Sequence, residues 1–391
     1  MEKGREEDKI TQMMERESKS IIQTYTRQPL LLDRGSGARV WDAAGREYLD
    51  FAAGVAVNSL GHCHPRVVEA IRRQAGQLIH TSNIYYTENQ VLLAEVLTEL
   101  TGMDRAFFCN SGAESMEAAL KLARKATGRS LLVAATGGFH GRTLGALSIT
   151  HKPAYRKPFG PLYEAVFVSY DDIEALKGAV TADTSAVVLE PVQGEGGVNV
   201  PGPMYLKAAR DICDDEGALL ILDEIQTGFG RTGRWFAKEY SGVLPDVMTL
   251  AKAIAGGLPM GVMLASENVS EILVRGDHAS TFGGGPLICA AALAAIDVIK
   301  SENLVERSYD LGKYLRSELG NLKTKEVRGL GLMVGVELQR DCPAVVSKAR
   351  ERGVLLNSTS EHVIRMVPPL VITEKDIDQV VSVLGEILEE P

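Results

Sequence analysis

The sequence predicts an α/β fold: a mostly parallel sheet covered by helices, followed by a smaller α+β region. Two observations carry this. Through the middle of the chain, short β-rich runs alternate with longer helical patterns, which is the texture of βαβ units. From about Pro286 the alternation gives way to two long helical patterns and then to short strands mixed with helices.

Taken in order, Leu30–Phe51, centred on VWDAAGREYLD, reads as a hairpin outside the main sheet. Strands are predicted at Ala106–Cys109, Ser130–Ala134, Ala186–Glu190, Ala218–Asp223, Val247–Leu250 and Val262–Ser266, because each is a short apolar run bounded by turn residues. Helical periodicity follows at Glu114–Thr127 and Met204–Glu216, and later at Leu287–Lys300 and Leu304–Leu319. Short strands are expected around Val327–Leu338 and Val363–Val367, with helices at Ala344–Arg352 and Glu374–Glu389. These changes divide the chain into an N-terminal arm and hairpin (1–50), a large domain (51–285) and a small domain (286–391).

Composition narrows the class. A chain of 391 residues with 24% charged residues and a formal net charge of -9 is an ordinary globular protein, not one built to hold nucleic acid or an anionic membrane. The five cysteines form no CxxC, which favours reduced thiols in a cytoplasmic protein. No apolar run is long enough to span a bilayer, and MEKGREEDKITQMMERESK lacks the apolar centre of a signal peptide, so a solvated helix or frayed arm is expected there.

Several motifs bear chemistry. CNSGAES joins a predicted strand to the helix Glu114–Thr127, so the N–H groups after Ser111 are set to receive an anion, although plain capping by Ser111 explains the motif equally well. ALLILDE is an apolar strand ending in Asp223 and Glu224, which must point to opposite faces and so serve different purposes. GFGRTG (228–233) matches GxGxxG. No helix of several turns follows it, which argues against a dinucleotide site. GHCHP (61–65) offers His and Cys without a second ligand pair at zinc spacing, so helix capping is expected there and no metal.

LAKAIAGGLPMG places one lysine, Lys252, among apolar and small residues just past a predicted strand. A lysine in such surroundings has its charged form disfavoured, and the resulting neutral amine is a nucleophile towards carbonyls. By itself Lys252 is better read as an ordinary snorkelling lysine. An anion site at Ser111–Ala113, a carboxylate at Asp223 and this amine, all at strand ends of one sheet, together match the needs of pyridoxal phosphate. In GGFHGRT, Phe139 suits stacking on a flat ring and Arg142 suits a carboxylate. Arg365, within VIRMVPP, stands in a predicted apolar strand and needs an anionic partner. For both arginines a structural ion pair is the alternative.

CNSGAESMEAALKLAR, GGFHGRTLGALS, EPVQGEGG, LLILDEIQTGFGRTG, LAKAIAGGLPMG, STFGGGPL and IRMVPPL follow one another across residues 109–370, with YTRQPLLL and DFAAGVAVNSLGHCHP ahead of them. In order and spacing they resemble the class III, ornithine-type aminotransferases of pyridoxal-phosphate fold type I. The resemblance implies a large domain with a mostly parallel, mixed seven-stranded sheet between helices, plus a smaller α+β domain. It implies that Lys252 holds pyridoxal 5′-phosphate, Asp223 pairs with its pyridine nitrogen, Gln226 contacts its phenolic oxygen and Phe139 stacks on it. Ser111, Gly112 and Ala113 would hold the phosphate, joined by Thr281 from a neighbouring subunit, so a homodimer with shared sites is expected. Arg142, Arg365, Glu195, Ser280, Tyr25 and Asn58 are the implied substrate residues, with Glu195 set to pair with Arg365.

The implied partners are a small-molecule amino donor and 2-oxoglutarate. N2-acetylornithine is the expected donor, in arginine synthesis. Ornithine, succinylornithine, 4-aminobutyrate and N-succinyl-diaminopimelate remain open, as does aminomutase or racemase chemistry on the same fold. Gly54-Val55, where a tyrosine is expected for holding free ornithine, weighs against ornithine.

Overall fold

The computed structural model describes residues 2–390, with side chains from Lys9 onward. It contains three sheets. The first begins with β1 (Leu32–Ser36), β2 (Arg39–Asp42) and β3 (Glu47–Asp50), an antiparallel meander where a simple hairpin was expected.

The central sheet holds β4 (Arg105–Cys109), β5 (Leu131–Ala135), β6 (Ala165–Val168), β7 (Thr184–Leu189), β8 (Leu219–Asp223), β9 (Val247–Leu250) and β10 (Gly261–Ala265). Its order is β4-β10-β9-β8-β7-β5-β6. β5 through β9 pair in parallel, and β10 runs antiparallel to both β4 and β9. This is the mostly parallel, mixed seven-stranded sheet that the motifs imply. Parallel strands covered on both faces read as unbroken apolar runs. TSAVVL of β7 is buried at every position.

Six of these strands match the sequence reading to within two residues. β6 was not foreseen, because AVFV lies at the sheet edge, only partly buried, with no helical pattern of its own leading into it. Helix Gly112–Thr127 covers one face with Met116, Leu120 and Leu122, and helix Tyr205–Glu216 covers the other with Leu206, Ala209 and Cys213. Each buried leucine or methionine among them contributes roughly 1.5–3 kcal/mol.

The third sheet combines β11 (Glu326–Leu330), β12 (Met333–Glu337), β14 (Asn357–Ser358) and β15 (Val363–Met366), in the order β11-β12-β15-β14. β13 (Val354–Leu355) instead joins the first sheet, running parallel to β3. Thus the N-terminal meander is completed by a strand from the far end of the chain. Helices Pro286–Ser301, Leu304–Gly320, Cys342–Glu351 and Glu374–Glu389 occur within two residues of expectation. The last starts at a capping box between Thr373 and Asp376. Residues Glu2–Ser20 form a helix, in keeping with the expected solvated arm.

Candidate active site

The site lies where β4, β5, β7, β8 and β9 end, the carboxyl edge at which α/β sheets place their chemistry. β9 is buried throughout, and the chain leaves it through Ala251 into a 3-10 turn, Lys252–Ala255. Lys252 itself has φ +45, a conformation that costs a non-glycine residue about 1–2 kcal/mol. The turn closes on Gly256 (φ +60) and Gly257 (φ +109), which adopt the left-handed region without that cost.

The Lys252 amine makes no hydrogen bond or ion pair among the described residues. Lys252 keeps some accessible surface because it lines a cavity, yet protein surrounds the amine. Burial, reinforced by the Arg365 cation, brings its pKa down to about 8, with Glu195, Asp223 and Glu190 opposing.

Asp223 ends β8 and is almost fully buried. Its Oδ2 accepts from His140 Nδ1 at 2.8 Å and its Oδ1 from the Ile225 N–H at 3.0 Å. Burial would lower the His140 pKa, but the hydrogen bond and charge of Asp223 outweigh it and the net direction is up. Glu224 points the other way, as the strand period requires. It accepts from Thr227 Oγ1 and from the Ala237 and Lys238 N–H groups at 3.0 and 2.7 Å, and so fastens the loop beyond. That loop contains GFGRTG and is followed only by a short 3-10 turn, Ala237–Tyr240, which removes the dinucleotide reading.

Glu190, just past β7, accepts from the Phe139 N–H and the Gly194 N–H, each at 3.1 Å. Burial, with Asp223 nearby, pushes its pKa up to about 7 against the pull of His140.

Ser111 caps helix Gly112–Thr127, its Oγ accepting from Glu114 N–H at 3.2 Å. The capping reading therefore holds. It is compatible with an anion site, because the Gly112 and Ala113 N–H groups are first-turn donors with no acceptor in the helix. The loop is tightly enclosed: a Cβ on Gly261 would lie 2.1 Å from Ser111 O, and one on Gly112 would lie 2.7 Å from Ile225 Cδ1. Ser280 stands beside it, accepting from Asn110 Nδ2 at 3.3 Å.

A cavity of about 500 Å³ brings together Ser111, Gly112, Ala113, Phe139, Arg142, Asp223, Gln226 and Lys252. Arg365, on β15, is buried behind Gln226. Its Nη1 donates to Glu195 Oε1 at 2.6 Å and to Gln226 Oε1 at 3.1 Å, and its Nη2 donates to Asn357 Oδ1 at 2.7 Å. Burial alone would raise the Glu195 pKa, but Arg365, then Lys252 and Arg142, bring it below the usual carboxylate value.

Asn58 adjoins the cavity wall, since a Cβ on Gly257 would meet its Oδ1 at 2.9 Å. Tyr25 is 72% exposed beneath Arg27, and Thr281 is exposed. Neither lines the cavity of its own chain.

In GHCHP the capping expectation needs correction. His64 precedes the helix Pro65–Ala75 but makes no side-chain cap. It faces Glu302 at 3.4 Å, and His62 Nε2 bonds Asp50 Oδ2 at 2.8 Å.

His140, Glu190, Asn110 and Asn357 are site residues that the sequence reading passed over. For His140, Glu190 and Asn110 a signal existed, since each stands in a quoted motif just past a strand. Asn357 gave none.

Residues 21–388 match the family model for class-III aminotransferases. Acetylornithine aminotransferase of Methanosarcina acetivorans is 57% identical, with 99% of this chain and 98% of that protein aligned. The enzyme of the same name from Methanothermobacter thermautotrophicus is 51% identical over 97% and 99%. Among solved structures, ornithine aminotransferase of Toxoplasma gondii superposes with a TM-score of 0.93 at 37% identity, covering 96% of this chain and 94% of that one. A second structure of that enzyme is described as having partial occupancy of PLP at its active site. Acetylornithine aminotransferase of Elizabethkingia anophelis superposes at 0.88 with 35% identity, covering 97% and 98%. With the family model spanning nearly the whole sequence and relatives above half identity, the chain belongs to the class-III aminotransferases.

Proposed function

We propose that the chain transfers the terminal amino group of N2-acetylornithine to 2-oxoglutarate by a ping-pong route, giving N-acetylglutamate 5-semialdehyde and glutamate. It would thereby serve arginine synthesis as an acetylornithine aminotransferase. As a class-III aminotransferase it is a pyridoxal-phosphate enzyme that takes an amino donor and a keto acid in turn.

The observation that favours a donor reacting at its terminal amine is the Glu195–Arg365 pair beside Lys252, and the relatives above half identity favour acetylornithine among such donors. The two substrates present carboxylates at different distances from the reacting carbon. 2-Oxoglutarate carries one next to it and needs an arginine close to Lys252. Acetylornithine reacts at its far end, and a bare arginine there would draw its α-carboxylate to the wrong place. Glu195 neutralises Arg365 for the donor and, being partly exposed, is able to move aside for the keto acid.

The residues present fit pyridoxal 5′-phosphate. Two first-turn N–H groups lack acceptors in the helix, the loop that carries them is packed too tightly for side chains at Gly112 and Gly261, and an amine without a partner among the described residues stands across the same cavity. Ser111, Gly112 and Ala113 would take the phosphate, Phe139 the ring face, Gln226 the phenolic oxygen and Asp223 the pyridine nitrogen. Bound there, the cofactor supplies an aldehyde for amines and a ring that draws electrons from the carbon being deprotonated.

The chain's own residues do the rest. Asp223, backed by His140, holds a proton at the pyridine nitrogen. Lys252 Nζ, neutral in part near pH 7 because of its depressed pKa, removes the proton from the donor's terminal carbon. In the return half it gives one to the α-carbon of the product glutamate. Arg142 holds the donor's carboxylate from the cavity wall, and Ser280 and Asn58 would border the donor's path, with Tyr25 at the entrance.

The working form would be a homodimer. Thr281 is exposed outside its own cavity, and Ile79, Ile84, Tyr85, Tyr86 and Phe282 form an exposed apolar set that a second copy would cover. We read residues 51–285 as the cofactor-holding domain, 286–391 as the small domain and 1–50 as an arm and three-stranded meander attached to it. The β3–β13 pairing supports the last division. No helix among the described residues is long and apolar enough to cross a membrane, and the free cysteines favour the cytoplasm. A panel of single half-reactions tests the donor: acetylornithine should discharge the visible absorbance of the loaded enzyme fastest, ahead of ornithine, succinylornithine and 4-aminobutyrate. A faster rival would reassign it.

A further inference from the structure

Arg142 lines the cavity, yet no hydrogen bond or ion pair holds its guanidinium among the described residues. What it meets are ring faces. Its Cζ lies 3.5 Å from the centroid of Tyr155 and 5.6 Å from that of Phe139. Tyr155 is half-buried in the short helix Pro153–Arg156 and also carries the Lys152 ammonium at 4.9 Å.

We propose that Tyr155 is the positioning residue of Arg142, and through it a determinant of selectivity for donors that bear an α-carboxylate. The inference rests on the reading that Arg142 takes the donor's carboxylate.

A guanidinium interacts with a ring through its flat face and with a carboxylate through its N–H edges. The two contacts use different parts of the group and are made together. An arginine otherwise loses about 2 kcal/mol of rotamer freedom when a ligand fixes it. Stacked on Tyr155, Arg142 has already lost part of that freedom, and its edges remain free for substrate. A carboxylate partner would also fix the side chain, but it would occupy the same N–H groups and compete with the donor. An aromatic support avoids that competition. Arg142 is solvent-exposed in the single chain, so the stacking belongs to the weaker range of cation–π contacts, a factor of about five in binding.

The test compares two donors on the cofactor-loaded enzyme: N2-acetylornithine and N-acetyl-1,4-diaminobutane, which is the same donor with hydrogen in place of the carboxylate. The quantity read is the ratio of their kcat/KM values. Tyr155→Leu and Tyr155→Gln should each lower that ratio about fivefold, chiefly through KM for acetylornithine, and leave the rate with the carboxylate-free donor within twofold of wild type. Tyr155→Phe keeps the ring face and should keep the ratio. Arg142→Leu should abolish most of it.

A defect of folding or cofactor loading would depress both donors together and leave the ratio alone. If one face-less variant is insoluble, the other carries the comparison. An unchanged ratio in the face-less variants while Arg142→Leu loses it, or a Tyr155→Phe ratio that falls with them, would overturn the proposal. An unchanged ratio in Arg142→Leu itself would instead overturn the carboxylate role of Arg142.

Discussion

Replacing Glu195 by Ala removes the carboxylate bonded to Arg365 at 2.6 Å and leaves a guanidinium that is 1% exposed. Breaking a fully buried pair costs about 3–5 kcal/mol. Here the glutamate side chain is 36% exposed and Arg365 keeps its bonds to Gln226 and Asn357, so about 1–2 kcal/mol of stability should be lost. The functional effect should be larger. A freed guanidinium offers a carboxylate charge-assisted hydrogen bonds worth about 1.5–3 kcal/mol, or roughly 10- to 150-fold in selectivity. Donors that carry a carboxylate beside the reacting amine, such as glutamate or ornithine reacting at its α-amine, should gain by that factor relative to acetylornithine. Glu195 also helps hold the Lys252 pKa up, so its removal should move that pKa further down. Stopped-flow half-reactions with acetylornithine and glutamate, each followed by the visible absorbance of the loaded enzyme, give the ratio. A ratio within twofold of wild type would refute the switching role of Glu195.

Three further outcomes are expected. Lys252→Ala should lose the visible band that reports the lysine–cofactor bond, and turnover should fall by about 10^4-fold or more; retention of the band would place the reactive amine elsewhere. In cofactor-free protein, uptake of pyridoxal phosphate should quicken with pH and level off above about 8. Below that value Lys252 is charged both folded and unfolded. Between about 8 and its ordinary 10.5, the folded chain has released a proton that the unfolded chain keeps, so the cost of burying the cation is relieved as pH rises through this window. A rate still climbing at pH 10 would contradict the depressed value. Arg231→Met should destabilise the protein by about 3 kcal/mol in urea unfolding, because buried Leu332 O, Pro368 O and Ser59 Oγ would each lose a donor. Since burial of the unpaired Arg231 also lowers its pKa to about 9, unchanged or raised stability would mean that the cost of burying that charge outweighs its bonds.

Much of the site was legible because its parts sit at strand ends, and strand ends are marked in one dimension. Lys252 and the Ser111 turn each follow, and Asp223 ends, a short apolar run of strand length. The opposite duties of Asp223 and Glu224 followed from the two-residue period of a strand alone. Pairings across distance were not legible. His140 and Asp223 are 83 residues apart and meet only because β5 and β8 both flank β7. Asn357 reaches Arg365 through β14, a strand of two residues that leaves no period to detect. The stacking of Arg142 on Tyr155 depends on the fold of a four-residue helix, and the strained φ of Lys252 is a backbone property that no side-chain pattern announces. Motif order therefore pointed to the residues that the fold gathers around one cavity, while their supports required coordinates.

The most direct test of the account is the donor panel on purified, cofactor-loaded protein. Acetylornithine, ornithine, succinylornithine and 4-aminobutyrate are mixed separately with the enzyme, and the rate of loss of the visible band is divided by donor concentration in the linear range. The account predicts that acetylornithine discharges the band faster than each of the other three donors. Equal rates for all four donors, or a lead for ornithine, succinylornithine or 4-aminobutyrate, would contradict it.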